Sequence, residues 1–532
     1  MKGKKCYMND CIYVKNNIYI IDNENLRKLK IACIFDDFTM KCYEDIIDII
    51  YLSPDNWQKK IIKNMPDILF VESIWKGKDN RWENIVSSKD EDKYMIMKDI
   101  INWCNKNNIP TVFWNKEDPI NYKFFIKLAK LFDYVFTTDE NSINKYKKDL
   151  NNNRVFSLLF AANPHIHNPI KYNKEKINKS FFAGTYYRNK FEERKVDLKK
   201  LLDLSIEYGE LDIYDRHYNS ENPLYYFPKK YNPYIKGYLD INDMYKTYKK
   251  YKIALNVNII KNSPTMFSRR VFECLASGVP VISTYSLGIN EIFKDIVLSS
   301  DNIEELKKEF INLQDERYYY DKVVRGIREV LNNHTYQNRL LFILEKIGTN
   351  VIYEKTTIGI IGKIESLDEY EILKKQYLNQ SYKYKRLYIF TENKCLLNIK
   401  RENNIKFIFI NETIMKEKIN DLISVDYMSF FNIKNIYGNY YLEDLINSRL
   451  YCDAEIIGKK SFYKLENNKK KLINKDMDFK YVEKIDLDKC IIKKEIFNKK
   501  NIDDILQYIK FNKIYDGNYV VFSSDKSNLI IV

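Results

Sequence analysis

Short apolar runs alternate with helical stretches over the amino-terminal part of the chain. Runs at Lys30–Phe35, Asp67–Val71, Thr111–Trp114 and Tyr134–Thr137 are too short for helices and lack strict polar alternation. Runs of this kind are typical of parallel strands that helices cover on both faces. Strands that alternate with helices predict a doubly wound sheet, whose binding site lies at the carboxyl ends of its strands. We therefore expect an α/β unit over residues 29–152.

A second α/β unit is predicted over residues 153–348. Its strands are expected at Lys179–Gly184, Leu211–Arg216, Ile253–Val257 and Val279–Ser283. Strand-like runs stop after Ser299, and the helical stretch from Asp301 to Gly348 can close this unit and cross back to the first.

Two further segments complete the predicted organisation. Residues 1–28 alternate apolar and polar positions, which predicts a small β-hairpin. Residues 349–532 begin with strand-like runs at Thr357–Ile361 and Leu387–Phe390 and are expected to form a third α/β unit. Three units agree with a length of 532 residues, because domains usually hold about 100–200 residues.

The composition restricts the partners and the compartment. The formal net charge is +15, but the lysines are spread evenly and accompany Asn, Ile and Tyr, whose codons are rich in A and T. We therefore expect no nucleic-acid partner, although a basic surface can favour acidic ligands such as sugar nucleotides. No apolar run reaches 18 residues and no signal-peptide core follows the first residues, so we expect a cytoplasmic protein without a membrane span. The nine cysteines are scattered singly, which predicts reduced thiols and no zinc site.

The segment Phe267–Ser283 carries the clearest candidate chemistry. Arg269 and Arg270 stand at the head of a predicted helix, and Glu273 follows one turn later. Guanidinium groups match phosphate oxygens, and a carboxylate can accept both hydroxyls of a ribose. The segment suits a nucleoside diphosphate, with a solvated helix face as the alternative. Gly278 is expected to end the helix before a buried strand.

Acidic and aromatic residues follow the predicted strands of the first unit. The candidate bases for an acceptor are Asp36, Asp37, Glu72, Glu117 and Asp118. Glu117 lies near Trp114 in sequence, and partial desolvation there would raise the pKa of its carboxyl into a useful range. Trp75 and Trp114 also suit sugar stacking. The alternative is that these acids only cap helices, as Asp118 before a proline suggests.

Two histidines, His165 and His167, lie at the predicted crossing between the two units. Such a pair could bind a metal ion, but without a nearby carboxylate or thiol it more often packs or caps a loop.

Several of these segments, taken in order, resemble GT-B glycosyltransferases, in particular the CgeB-like group that includes spore-maturation proteins. The resemblance covers roughly residues 28–345 and rests on Ile34–Phe38, Phe70–Trp75, Val112–Pro119, Thr137–Asp139, Phe182–Tyr186, Ile213–Arg216 and Phe267–Ser283. It implies two Rossmann-like domains, with the nucleotide-sugar donor in the second and the acceptor approaching from the first.

The resemblance also implies the roles of particular residues. Arg269 and Arg270 would bind the diphosphate, with Arg188 and Lys190, after the turn at Gly184, as possible additions or as solvated side chains. Cations and helix amides can stabilise a leaving diphosphate directly, so neither a metal nor another cofactor is expected. Glu273 matches the second glutamate of the paired-glutamate motif of retaining enzymes, which binds ribose. The first glutamate would fall at position 265, which is Thr265, so retention of configuration stays open.

The third unit resembles a GT-A glycosyltransferase domain in part. Lys375–Lys383 looks like a helix-turn phrase of that family, and Asp426–Gly438 occupies the place of its acidic metal motif. Asn432, Ile433, Lys434 and Asn435 stand where acidic residues are expected, so a divalent cation would lack hard oxygen ligands. We expect a degenerate domain kept for structure or for docking of the acceptor.

These observations predict a metal-independent glycosyltransferase, either a hexosyl- or an N-acetylhexosaminyltransferase. The expected donor is a UDP-sugar, and the expected acceptor is a protein or surface glycan, such as flagellin or a spore-surface component. The alternative is a non-catalytic carbohydrate-binding or spore-assembly protein that retains the fold.

Overall fold

The computed structural model describes residues 19–21, 26, 29–86, 91–170, 176–349, 351–399, 402–514 and 517–532. These residues divide into two compact units. The first unit contains the described residues up to Asn168 and from Lys176 to Tyr353, and the second contains Pro169, Ile170 and Glu354–Val532.

The first half of the first unit is a six-stranded parallel sheet. After the short strand β1 (Tyr19–Ile21), its strands are β2 (Lys30–Ile34), β3 (Asp48–Tyr51), β4 (Ile68–Glu72), β5 (Thr111–Asn115), β6 (Tyr134–Thr137) and β7 (Val155–Ser157). The strand order is β3-β2-β4-β5-β6-β7, and every pairing is parallel. The helices are α1 (Asp37–Tyr43), α2 (Trp57–Asn64), α3 (Glu91–Lys106), α4 (Tyr122–Ala129) and α5 (Ile143–Leu150).

The second half of this unit repeats the architecture. Its strands are β8 (Ile177–Gly184), β9 (Leu211–Asp215), β10 (Ile235–Gly237), β11 (Tyr251–Asn256), β12 (Val281–Ser283) and β13 (Leu298–Ser299). They form a parallel sheet in the order β10-β9-β8-β11-β12-β13. The helices are α6 (Glu192–Tyr208), α7 (Ile241–Lys250), α8 (Arg270–Ala276), α9 (Leu287–Phe293), α10 (Ile303–Asn312), α11 (Glu316–Asn333) and α12 (Tyr336–Lys346).

The apolar runs of the sequence are explained by two cores on opposite faces of the first sheet. In β5, Val112 and Trp114 pack into one core, whereas Phe113 packs into the other. Both faces are therefore buried, and each fully buried apolar side chain contributes about 1.5–3 kcal/mol. Helix α12 belongs to the first of these cores through Leu340 and Leu344, so the closing helix crosses back to the first half as expected.

The second unit contains two sheets. After β14 (Val351–Tyr353), which belongs to the first unit, its strands are β15 (Ile358–Lys363), β16 (Lys385–Thr391), β17 (Ile405–Phe409), β18 (Tyr427–Phe430), β19 (Ile436–Tyr437), β20 (Ile456–Gly458), β21 (Phe462–Glu466), β22 (Lys469–Ile473), β23 (Lys480–Val482), β24 (Cys490–Lys493), β25 (Val521–Ser523) and β26 (Leu529–Ile531). The larger sheet has the order β17-β16-β15-β18-β24-β20-β25-β23, and the smaller one β19-β26-β21-β22. The helices are α13 (Leu367–Leu378), α14 (Glu412–Lys416), α15 (Ile419–Leu422), α16 (Tyr441–Ser448) and α17 (Ile502–Phe511).

Two predicted boundaries differ from the structure, and the hairpin stays a prediction. Most of residues 1–28 lie outside the described residues, and the strand β1 among them pairs in parallel with β14. Because β14 joins the first unit, the second unit begins at Glu354 and not at residue 349. Strand β7 pairs with β6, so the first sheet extends beyond residue 152.

Among the strands that the sequence did not predict, two in the first unit are short and partly polar. Strand β3 begins at exposed Asp48, and β10 has only three residues, with an exposed lysine in the middle.

Candidate active site

A cavity of about 460 Å³ lies between the carboxyl edges of the two parallel sheets of the first unit. The first half lines it with residues that follow β5, and the second half with residues that follow β8, β9 and β11. The charged residues of the lining are Lys116, Glu117, Arg194, Arg216, Arg269, Arg270 and Glu273. Parallel sheets of this class bind ligands at this edge, so the cavity is the candidate active site.

The segment Phe267–Ser283 folds as the sequence predicts. Helix α8 runs from Arg270 to Ala276, and its N-terminal flank is Arg269. Gly278 has a φ of +69°, the left-handed conformation that a glycine after a helix adopts readily. Strand β12 follows the glycine. The first turn of α8 lines the cavity through Arg270 and Glu273.

Arg269 and Glu273 form one side of the cavity. The Arg269 guanidinium lies 3.3 Å from the centroid of the Phe38 ring, and its Nε lies 3.2 Å from Glu273 Oε1. The Glu273 residue is only 1% exposed. Its Oε1 is buried and, beside the ion pair with Arg269, accepts no hydrogen bond from the described residues.

Three other guanidinium groups surround the same cavity, from Arg194, Arg216 and Arg270. Arg270 Nε donates to the Tyr248 hydroxyl at 3.4 Å, and Arg194 Nη1 donates to the Thr185 carbonyl at 3.1 Å. Within the described part of the chain, none of the three guanidinium groups forms an ion pair with a carboxylate.

The environment disfavours the positive charge of Arg194 and Arg216, whereas at Arg270 burial is outweighed by the Tyr248 hydroxyl and neighbouring acidic groups, so the pKa of Arg270 is raised. Burial lowers the pKa of Arg194 to about 10. Loss of solvent, together with the charges of Arg269 and Arg270, lowers the pKa of Arg216. Cations that repel one another in a partly closed cavity attract an anionic ligand strongly.

Gly184 and Arg188 were both predicted to contact the donor, and the structure separates them. Gly184 ends β8 and lines the cavity, whereas Arg188 is absent from the described lining. Arg188 Nε donates to the Tyr226 carbonyl at 2.8 Å, and its Nη2 to the Phe227 carbonyl at 3.4 Å. We therefore omit Arg188 from the proposed donor site.

The three candidate catalytic carboxylates also occupy different places. Glu117 lines the cavity, and its Oε2 accepts from the Asn121 side chain at 2.8 Å. Asp37 is the exposed first residue of α1 and is not among the lining residues described. Glu72 is fully buried behind the cavity wall, in contact with Lys116. Of the three, Glu117 alone is among the described residues that line this cavity.

Glu72 is held by several hydrogen bonds. It accepts from the backbone amide of Asp36 at 2.6 Å and from the Thr39 hydroxyl at 2.5 Å. Burial raises the pKa of the Glu72 carboxyl, and the Lys116 ammonium opposes that shift.

Two predictions about neighbouring residues were wrong. The Trp114 side chain is fully buried, and its indole Nε1 donates to the Leu158 carbonyl at 3.0 Å, so it cannot stack on a sugar. Asp118 is not a helix cap, because α4 begins at Tyr122 after Asn121. Asp118 is instead buried and accepts from the Thr137 hydroxyl at 2.6 Å.

Thr265, which stands in place of the first glutamate of the paired motif, connects the two halves of the unit. Its hydroxyl donates to the Thr138 carbonyl at 2.8 Å and accepts from the Glu140 amide at 2.8 Å. The adjacent Ser263 hydroxyl donates to Asp139 at 2.7 Å. These bonds hold the loop after β11 against the first half.

In the described part of the chain, one group of three acidic side chains has the spacing of a metal site, formed by Glu193, Asp197 and Asp301. The ammonium of Lys261 already lies 2.7, 2.6 and 2.9 Å from their oxygens. A lysine therefore supplies the positive charge at this position. His167, in turn, is buried and accepts from the Asn163 amide at 3.2 Å, which is a packing role.

In the second unit, the loop at the place of the acidic motif is held by internal hydrogen bonds. Asn435 Nδ2 donates to Asp488 at 2.8 Å, and Gln376 Nε2 donates to the Asn435 carbonyl at 2.8 Å.

Sequence reasoning missed Lys116, Arg194 and Arg216 as site residues. Arg216 is the last residue of the predicted strand Leu211–Arg216 and directly follows β9 in the structure, so its position at a strand end was a usable signal. Arg194 lies in the first turn of α6, and nothing in its local sequence indicates the cavity.

One known protein family matches part of the chain. Residues 208–345 match the protein family described as glycosyl transferase-like. No curated protein matches the chain.

Three solved structures are similar to part of the chain at low sequence identity. A glycosyltransferase from Rickettsia africae ESF-5 is 13% identical, with a TM-score of 0.39, and the alignment covers 60% of this chain and 89% of that one. An alpha-glucosyltransferase in complex with UDP and a mismatched DNA is 12% identical, with a TM-score of 0.42 and coverage of 60% and 100%. The Anabaena protein HepE, in complex with UDP and glucose, is 9% identical, with a TM-score of 0.38 and coverage of 60% and 100%.

The fold and the family segment together define the class. The chain has an α/β fold with two parallel Rossmann-like sheets and additional carboxy-terminal sheets, and its residues 208–345 match a glycosyl transferase-like family. In the described part of the chain, no helix is long and apolar enough to cross a membrane.

Proposed function

We propose that this protein is a metal-independent glycosyltransferase that moves a hexosyl or N-acetylhexosaminyl group from a nucleotide-sugar donor to a protein or surface-glycan acceptor. A UDP-sugar is the first donor to test. The observation that carries the proposal is the cavity in which Arg194, Arg216 and Arg270 lack carboxylate partners among the described residues, beside the Glu273 carboxylate.

The charges of the cavity match a diphosphate. Arg269 is partly neutralised by Glu273, and Lys116 is in contact with the buried Glu72 carboxylate. The other three guanidinium groups keep their charge for a ligand. Charge-assisted bonds from guanidinium groups to phosphate oxygens are strong and directional.

In this proposal, the donor lies along the second half of the unit. Glu273 accepts hydrogen bonds from the ribose hydroxyls, and the arginines hold the diphosphate. When the bond between the sugar and the β-phosphate oxygen breaks, the guanidinium groups stabilise the charge that develops on that oxygen.

Glu117 is the proposed base. Its carboxylate lines the cavity from the first half, opposite the arginines. It would take the proton of the acceptor hydroxyl while the acceptor oxygen forms its bond to the sugar carbon.

The second unit is proposed to be a degenerate GT-A-like domain that docks the acceptor. In its larger sheet, the parallel strands β17-β16-β15-β18 are followed by antiparallel β24. Asn435 and its neighbours offer no acidic cluster, and Asn435 is already bonded to Asp488. Relationship to the CgeB-like group and a role in flagellar or spore-surface glycosylation belong to the same proposal.

We also propose a cytoplasmic location. Seven cysteines lie in the described residues, all as free thiols, and six of them are buried. Unpaired buried thiols are typical of proteins in a reducing compartment.

The test is an incubation of the full chain with UDP-glucose, UDP-galactose, UDP-N-acetylglucosamine and other nucleotide sugars, with and without EDTA. We expect release of nucleotide from at least one donor, at the same rate in the presence of the chelator. Arg270→Met should reduce the release, whereas the exposed Lys123→Met should not.

Binding of a nucleotide sugar without any release would favour the non-catalytic alternative. Loss of turnover in EDTA, with rescue by manganese or magnesium, would contradict metal independence.

A further inference from the structure

Lys116 is held in place from behind the cavity wall. Its Nζ contacts the Glu72 carboxylate and donates to the Thr39 hydroxyl at 2.7 Å. Thr39 in turn donates to Glu72, so the three side chains form a closed group. The Glu72 side chain is 0% exposed and that of Lys116 is 13% exposed. An ammonium with two fixed contacts has little freedom to follow a ligand, and its remaining N–H points in one direction.

That remaining N–H is available to a ligand. Apart from Glu72 and Thr39, Lys116 Nζ has no hydrogen-bond partner among the residues that the structure describes. The side chain lines the cavity together with Glu117, on the side that faces the arginines of the second half.

Lys116 differs from those arginines in whether a carboxylate compensates its charge. The positive charge of Lys116 is compensated by Glu72, whereas Arg194, Arg216 and Arg270 have no carboxylate partner in the described chain. An anionic diphosphate is drawn to uncompensated charge, so it favours the arginines. A neutral hydroxyl needs only a well-placed donor and acceptor, which Lys116 and Glu117 supply side by side.

We propose that Lys116 binds a hydroxyl of the sugar that is transferred, and that Glu72 and Thr39 are positioning residues for it. This inference rests on the proposed function and assigns the sugar-recognising part of the same cavity. Glu72, which sequence analysis placed among the catalytic carboxylates, acts only through Lys116.

The experiment separates the sugar from the nucleotide. The full chain is titrated by calorimetry with UDP and with UDP-glucose, UDP-galactose and UDP-N-acetylglucosamine. For each UDP-sugar, its dissociation constant is divided by that of UDP. Lys116→Met should leave UDP affinity within about two-fold and weaken the preferred UDP-sugar by about ten-fold, as the loss of one charged hydrogen bond predicts.

Further variants test the positioning role. Lys116→Met leaves a buried carboxylate unpaired, so Lys116→Met/Glu72→Gln measures the same contact without that charge. Thr39→Val should shift the ratio in the same direction by a smaller factor, because Lys116 loses one of its two anchors. Lys123→Met, on the exposed face of α4, is the matched control and should leave the ratio unchanged.

Three outcomes would overturn the inference. One is an equal loss of affinity for UDP and UDP-sugar in the Lys116 variants, and another is no loss for either. The third is a wild-type protein that binds UDP but gains nothing from any attached sugar. Failure of the wild type to bind UDP at all would contradict the UDP-sugar donor of the proposed function, and this inference with it, whereas the nucleotide-release assay with other nucleotide sugars tests the proposed function separately.

Discussion

Arg270 in the first unit and Lys459 in the second are both cations near the ends of parallel strands, yet their surroundings differ. Lys459 follows β20 with a side chain that is 0% exposed, and its Nζ donates to the Asp525 carboxylate at 2.8 Å. Arg270 is half-buried and has only the Tyr248 hydroxyl, at 3.4 Å, as a described hydrogen-bond partner.

The difference indicates what each cation does. A buried pair such as Lys459 and Asp525 satisfies itself, and breaking it leaves a charge without a partner. Guanidinium groups that lack a carboxylate partner repel one another around a cavity and raise the free energy of the unliganded protein. A bound anionic ligand offsets this repulsion. The comparison therefore places binding chemistry in the first unit and a structural ion pair in the second.

The largest expected effect is on the second unit. Lys459→Met should lower the stability of β20 and β25 by about 3–5 kcal/mol, because Asp525 stays buried without its counter-charge. Hydrogen–deuterium exchange of peptides that contain these strands measures the change, with the first sheet as the internal reference. Lys459→Met/Asp525→Leu should recover part of the loss. If Lys459→Met leaves the exchange protection of β20 and β25 unchanged, the ion pair does not stabilise these strands.

A second effect concerns pH and should be confined to the first unit, which contains all four histidines. Burial lowers the pKa of His167 from 6.5 to about 4, so the folded state holds this ring neutral while the unfolded state binds a proton. Stability from His167 is therefore present above pH 6.5 and is lost as the pH falls toward 4, by up to about 3 kcal/mol.

The measurement is urea unfolding followed by tryptophan fluorescence, since all five tryptophans lie between residues 57 and 114. The quantity compared is the free energy of unfolding of wild type minus that of His167→Asn at several pH values. This difference cancels the contributions of the other titrating groups to the free energy of unfolding. One of them is Asp118, whose carboxyl pKa burial raises to about 7 and whose contribution changes with pH in the opposite direction. A difference that does not vary between pH 7 and pH 4 would contradict the assignment.

The smallest expected effect separates binding from stability. Arg270→Met should weaken UDP binding by about 1.5–3 kcal/mol, the value of a charge-assisted hydrogen bond. The melting temperature should not fall, because no described carboxylate loses an ion pair with the guanidinium. Calorimetry and thermal unfolding of the same sample test both parts. A strong loss of stability with unchanged binding would reverse the comparison with Lys459.

Much of the fold could be predicted from periodicity alone. The strands β2, β4, β5, β6, β8, β9 and β11 were recognised because a strand buried on both faces is apolar throughout. Strands β3 and β10 were missed because their polar or very short sequences resemble turns. The boundary at β7 failed for a related reason, since three residues carry too little pattern to assign a strand to one sheet or another.

The candidate site was predictable where its residues are close in sequence. Arg269 and Glu273 are four residues apart, so a helix places them on one face, as the structure shows. Glu117 follows a predicted strand, and the carboxyl end of a parallel strand is where a site residue is expected.

The amino-acid sequence by itself therefore determined the parallel α/β architecture, the position of α8 and its charged first turn, because these depend on local periodicity and spacing. Only the tertiary structure decided which ionisable groups meet. Arg194, Arg216 and Lys116 come from three distant segments, and Glu72 and Glu117 both lie at the carboxyl ends of parallel strands. Yet Glu72 is enclosed by Thr39 and Lys116, whereas Glu117 faces the cavity. The physical reason is that burial and charge pairing are properties of neighbours in space, which spacing along the chain does not specify.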